Sequence, residues 1–173
     1  MGEKIDLVEP SMLLKDPFLE MAGEFREAGE YYPHHEEAQQ NFGLFIDGLF
    51  DKALGIGLPP GYVPGTTFWL VRDGVTLLGE SRLRHWLTPA LQVEGGHIGY
   101  AIRPSARRMG YGTQILALTL EKAVQQGLRK VLVTCDRDNI GSAKIIEKNG
   151  GSFFGHSISP RSGKQVSLYW IEL

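Results

Sequence analysis

Cysteine is nearly missing from the chain: Cys135 stands alone among 173 residues. A single cysteine excludes an internal disulfide and a multi-cysteine zinc site. Long apolar runs are missing too, and none approaches the ~18 residues that a membrane-crossing helix needs. The opening residues MGEKIDLVEP lack a cationic stretch followed by an apolar one, so no secretory signal is expected and a cytoplasmic setting is. Internal repeats, low-complexity tracts and long linkers are absent, which predicts one domain over residues 1–173. Hydrophobic residues make up 42% and charged residues 22%, enough to bury a core without covalent staples. His34-His35 lacks a convincing ligand set and reads as an exposed helix start, so no metal is expected.

Net charge is only −2, but it is unevenly spread. Residues 1–60 hold twelve Asp/Glu against four Lys/Arg, and residues 61–173 hold fourteen Lys/Arg against eight Asp/Glu. Two solvated surfaces would account for this. A basic half holding an anionic cofactor, with an acidic half facing a cationic substrate, would account for it as well.

Apolar spacing predicts a short strand over Ile5–Val8, a helix over Ser11–Gly29 and a second over about His34–Leu54, with Phe50 on its apolar stripe. Three prolines and two glycines between Leu58 and Gly65 mark a loop. Strands follow at Thr67–Arg72 and Val75–Trp86 around an Asp73-Gly74 turn, then a polar loop over Thr88–Gly96 and a strand over His97–Ile102. Ser105–Gln126 reads as a long helix with Val124 on its apolar face, Lys130–Cys135 as a buried strand, and Asn139–Asn149 as a short helix. Two strands, Ser152–Ser159 and Gln165–Ile171, close the chain. This order predicts an α/β (α+β) domain, with a mixed, mostly antiparallel sheet and helices on both faces.

The most informative stretch joins a strand to a helix: Arg103-Pro-Ser-Ala-Arg-Arg-Met-Gly-Tyr-Gly112. A helix start carries unpaired N–H groups and partial positive charge, so Arg107 and Arg108 there call for an external anion. Gly110 and Gly112 would let the backbone approach a ligand. A surface arginine pair beside a flexible turn is the plainer alternative. A dinucleotide fingerprint is excluded, since that needs three glycines and a later acidic residue. A nucleotide P-loop is excluded by the missing lysine and Ser/Thr.

Arg107-x-x-Gly110-x-Gly112, after Gly99-Tyr-Ala-Ile-Arg-Pro104, resembles the acetyl-CoA pyrophosphate loop of the GNAT superfamily of N-acetyltransferases. Asn139-x-x-Ser142-Ala143-x-x-Ile146-Glu147-Lys148-x-Gly150 is similar to the helix after that superfamily's fifth strand. It is closest to the branch acting on ribosomal-protein N-termini and small amines. The motif departs from the usual Gly-Phe ending, reading Gly150-Gly151. The resemblance covers residues 65–173 and centres the cofactor-binding core on about 97–151. It implies that the strands ending at Ile102 and Cys135 splay to admit the pantetheine arm and that Ile102 backbone groups pair with that arm. It also implies that N–H groups from Arg108 through Met109, Gly110 and Tyr111 to Gly112, with Thr113, hold the pyrophosphate. Asn139 and Ser142 would contact the arm, and Asn139 could equally be a helix cap.

Acetyl transfer to an amine requires a neutral amine, a donor at the carbonyl oxygen and a proton for the thiolate. The tyrosine that many members use for the last task is replaced by Ile146. The position that often carries a glutamate falls on Gly96. Glu94 has the right strand parity and is the first candidate base. His97, which needs a bulge to reach the site, is the second, and Glu80 acting through water the third. Tyr31, Tyr32 and Arg84 could line the acceptor cleft or simply pack, and Cys135 reads as a small buried residue. The expected function is acetyl transfer from acetyl-CoA to a primary amine of a small molecule or peptide, with a cationic acceptor. A homodimer stays open. The rival is a catalytically silent acyl-CoA-binding or sensor module. Nucleic-acid binding is disfavoured by the charge balance.

Overall fold

The computed structural model describes residues 2–173. The chain runs β1 (Ile5–Val8), α1 (Lys15–Glu27), α2 (His35–Gln40), α3 (Phe42–Leu54), β2 (Gly65–Arg72), β3 (Thr76–Arg84), α4 (Pro89–Val93), β4 (Ile98–Ile102), α5 (Tyr111–Gln125), β5 (Lys130–Asp136), α6 (Ile140–Lys148), β6 (Ser152–Ile158) and β7 (Gln165–Glu172). The strands form one sheet in the order β1-β2-β3-β4-β5-β7-β6. Every neighbouring pair is antiparallel except β4 and β5.

Helices cover both faces, as the element order implies. On one side α1 and α3 lay Phe18, Met21, Phe45 and Leu49 over Trp69, Val71 and Leu77. On the other, α5 and α6 bury Ile115, Leu116, Ala123 and Ile146 against Phe68, Leu70, Leu78 and Leu83. Fully burying side chains of this size stabilises by roughly 1.5–3 kcal/mol each. A polar pair inside this second layer is satisfied: Ser81 Oγ lies 2.7 Å from Thr119 Oγ1.

Three elements differ from the sequence expectation, each for a local reason. The second helix is two helices, because Asn41 is extended and its Oδ1 caps α3 by accepting from Leu44 N–H. The Thr88–Gly96 loop contains α4, started by the Thr88 hydroxyl cap and by Pro89 in the first turn. The long helix begins at Tyr111 rather than Ser105, since Arg108 and Gly110 both take positive φ (63° and 93°). Arg107 and Arg108 thus precede the helix instead of filling its first turn. Phe50 and Val124, expected on apolar faces, are exposed.

The parallel seam positions the site. β4 and β5 share one ladder pair, Ile98 with Val133, and then diverge. His97 clasps the closed end: its N–H donates to Leu132 O (2.7 Å) and its Nδ1 accepts from Leu132 N–H (2.9 Å). Beyond the clasp, Gly99 to Ile102 lines an open cleft.

Candidate active site

The cleft has a volume of about 860 Å³ and runs from the β4–α5 loop, across β4, to the α1–α2 connection. At the loop end, five successive N–H groups, Arg108 to Gly112, find no acceptor among the described residues, while those of Thr113 and Gln114 turn back to Gly110 O. Gly110 needs its φ of 93°, which side chains rarely tolerate, and a Cβ at Gly112 would stand 2.5 Å from Ile145. Loop and helix start together make a nest of donors. Lys144 and Lys148 on α6 add cations to the same wall. Their i, i+4 spacing is the signal by which sequence reading could have placed both on one helix face.

Across the seam, Tyr100 on β4 reaches α6, its hydroxyl 2.8 Å from Ser142 Oγ. Burial pushes the Tyr100 phenol up to about 12, so it keeps its proton. Asn139 is the helix cap, its Oδ1 accepting from Ser142 N–H at 3.0 Å, and it also lines the cleft.

Away from the nest, Glu80, Arg82 and Arg84 alternate along β3, share the α1–α3 face and line the cleft. Glu80 is buried, and its Oε2 accepts from Tyr32 OH (3.0 Å) and Trp69 Nε1 (3.2 Å). Its Oε1 lies 3.8 Å from Arg82 Nη2. Burial, then the adjacent Glu80 carboxylate, raises Tyr32 well above the phenol range, so it remains a donor.

The profile of the acetyltransferase (GNAT) domain matches residues 15–152. The chain belongs to the GNAT acetyltransferases. Solved structures with this fold include the ribosomal L7/L12 alpha-N-protein acetyltransferase RimL in complex with coenzyme A. It is 14% identical, with 98% of this chain and 94% of that one covered at a TM-score of 0.72. Mycobacterium smegmatis RimJ with CoA-disulfide is 17% identical, covering 97% and 81% at 0.72. The microcin C7 self-immunity acetyltransferase MccE with acetyl-CoA and AMP is 12% identical, covering 98% and 93% at 0.71. Comparison with curated protein sequences returns no match. The protein is an N-acetyltransferase with acetyl-CoA as cosubstrate. Its donor nest has the chemistry that a pyrophosphate requires.

Several sequence-predicted site residues are brought together here: Ile102, Arg107, Arg108, Gly110, Gly112, Thr113, Asn139 and Ser142 all line the cleft. Four of the predicted residues, Arg107, Ile102, Met109 and Tyr111, need correction in detail. Arg107 is held bidentate by Glu30 (2.6 and 2.7 Å) and its Nε donates to Ile102 O, so both its charge and that carbonyl are already engaged. Met109 points to solvent. The Tyr111 side chain is buried on the far side, donating to the Glu3 carboxylate at 2.9 Å, so only its N–H joins the nest.

Both leading bases fail on geometry. Glu94 ends α4 outside the cleft, where Arg161 (2.9 Å) and Ser159 Oγ (2.9 Å) hold it; the Arg161 hydrogen bond keeps its carboxyl below the usual range. His97 has its Nδ1 occupied by Leu132 N–H, and burial lowers it to about 4. No side chain can stand at position 96 either. Gly96 has φ 58°, and a Cβ there would lie 2.4 Å from Leu132 O. Glu80, ranked third, lines the cleft; so does Glu30, whose two oxygens are taken by Arg107.

The acidic first third is partly committed within the chain. Glu3 pairs with Arg72, Glu20 and Glu24 with Arg103, and Glu30 with Arg107. Part of the charge split therefore joins the two halves: four of the twelve acidic residues of 1–60 are held by arginines of 61–173.

Proposed function

We propose that the protein transfers the acetyl group of acetyl-CoA to a primary amine of a small molecule or peptide in the cytoplasm, working as one catalytic domain over residues 1–173 around a cofactor core at about 97–151. The reading rests on a single observation: the donor nest of Arg108–Gly112 and the Glu80 carboxylate open into the same cleft, on either side of β4. Acetyl-CoA supplies the activated thioester. The N–H groups of Arg108 to Gly112 hold the pyrophosphate, with Arg108, Lys144 and Lys148 adding charge. Thr113, Asn139, Ser142 and Ile102 line the path of the arm.

Glu80 takes the proton of the acceptor amine, directly or through one water. An ordinary alkyl amine titrates near ~10.4, so it must lose that proton before it can attack. Tyr32 and Trp69 fix Oε2 and leave Oε1 for this role. The Tyr100–Ser142 hydroxyl pair holds a proton at the seam, where Ile146, wholly buried, cannot.

Thiol release from acetyl-CoA over an amine panel, with calorimetry of acetyl-CoA binding, tests this. Glu80→Gln should lower turnover by about 100-fold or more at neutral pH while acetyl-CoA affinity holds. Binding without thiol release from any amine would make the protein a silent acyl-CoA module. Unchanged turnover in Glu80→Gln would remove the base assignment.

A further inference from the structure

The arginines of this chain divide by the kind of partner they have. Arg72, Arg103, Arg107 and Arg161 each pair with a carboxylate at hydrogen-bond distance. The two that follow Glu80 along β3 do not. Arg84 is half-buried, and its Nη1 donates to two neutral acceptors, Gly95 O (3.1 Å) and Gly96 O (3.0 Å). No carboxylate lies within ion-pair distance of it among the described residues. Arg82 Nη2 is set 3.1 Å from His34 Nε2, and its single ion pair, to Glu80, is long at 3.8 Å.

His34 is buried, and desolvation lowers its pKa, so at neutral pH it is an uncharged imidazole offering a lone pair to Arg82. Its Nδ1 faces Glu37 Oε2 at 3.6 Å, the tautomer this requires. Arg82 is thus aimed without being neutralised. Burial, then the nearby charges of Arg82 and Arg161, makes the Arg84 cation less favourable than in water. Arg161 is offset by Glu94, and Glu80 only partly offsets Arg82. One positive charge is left over inside a concave site, next to the group that takes the proton.

A guanidinium desolvated among carbonyls keeps unused N–H donors whose geometry matches a carboxylate. We propose that Arg82 and Arg84 seat a carboxylate carried by the acceptor itself, so that the substrate class is an amine bearing an acidic group within a few bonds. This rests on the reading of the cleft as an amine-acetylation site with Glu80 at its centre. Same-face residues on a strand stand about 7 Å apart. An amine at Glu80 and a carboxylate over Arg82 and Arg84 therefore fit one compact molecule or one terminal residue. The carboxylate could belong to a free amino acid or to an acidic residue at a peptide N-terminus.

Thiol release from acetyl-CoA is compared for two matched pairs: free glutamate against its diamide, and a Glu-Ala peptide amide against Gln-Ala. The expected result is at least a tenfold higher kcat/KM for the acid member of one pair, and which pair shows it names the source. Arg84→Gln should then raise the KM of the preferred acid about tenfold, with the loss in KM rather than kcat, and bring the acid-to-amide ratio toward one. Should Arg84→Gln fail to fold, Arg82→Gln, which alters a more exposed side chain, gives the same readout. Indifference in both wild-type pairs, or better turnover of amides or cationic amines, overturns the inference while leaving amine acetylation standing. No thiol release from any amine overturns both.

Discussion

Glu24 shows how a single side chain can hold two distant segments together. The Arg103 guanidinium, helped by Ser105, holds its carboxyl at about 2. A glutamate in an unfolded chain titrates near ~4.3. The folded value is the lower one, so the stabilisation is fully present above the unfolded value and disappears as pH falls through about 4 to about 2. Glu24→Gln should cost on the order of 2 kcal/mol at pH 7 by urea denaturation, and the gap from wild type should close near pH 2. Glu94 offers a contrast. Its bonds go to the β6–β7 turn, so Glu94→Gln should leave kcat unchanged and lower the melting temperature by a few degrees at most. A fall in kcat comparable to that of Glu80→Gln would return Glu94 to the chemistry. Sequence parity favoured Glu94 because it could not register two facts. Gly95 and Gly96 both take positive φ, breaking the strand's alternation, and Arg161 arrives from 67 residues away. Glu80 lacked a local signal, since its credentials are Tyr32 and Trp69, brought in by other elements.

Elements were legible where chemistry is local, and obscure where a cap or a turn overrides periodicity. The glycine loop, α6 with its Asn139 cap and the hairpin at Asp73-Gly74 follow from residue type alone. The break at Asn41 and the short α4 do not, although Thr88-Pro89 carries a helix-start signal in miniature. The late start of α5 follows from Arg108 and Gly110, whose left-handed backbone lifts a run of N–H groups out of any helix ladder. Gly110→Glu would strain that backbone and put an anion in the nest. Acetyl-CoA affinity should drop at least tenfold by calorimetry while the circular dichroism spectrum persists, and unaltered affinity in a folded variant would sink the nest assignment. Gly96→Ala acts before β4, at the end where that strand meets β5. With 2.4 Å to Leu132 O and φ 58°, it should cost about 3 kcal/mol or more, visible as a large loss of melting temperature.

On the scale of the whole molecule, residues 1–60 are one side of the core rather than an accessory to it. Phe18, Phe42 and Phe45 cover Trp69, and β1 pairs with β2. A fragment of residues 61–173 would leave Trp69, Val71 and Leu77 uncovered, together with Arg72, Arg103 and Arg107 unpaired. It should lose near-UV circular dichroism and aggregate; a cooperative, monomeric fragment would contradict this division. The charge asymmetry, plain in the sequence, did not reveal its own purpose, because pairings across 69 to 83 positions exist only in the fold. The seam between β4 and β5 has a mechanical consequence. Four strands lie on one side of a single ladder pair and three on the other, riveted at His97. The sheet is thus two leaves that share one rung. A molecule lying in the opening would stand where the missing rungs of β4 and β5 would be, bracing the leaves as an added strand would.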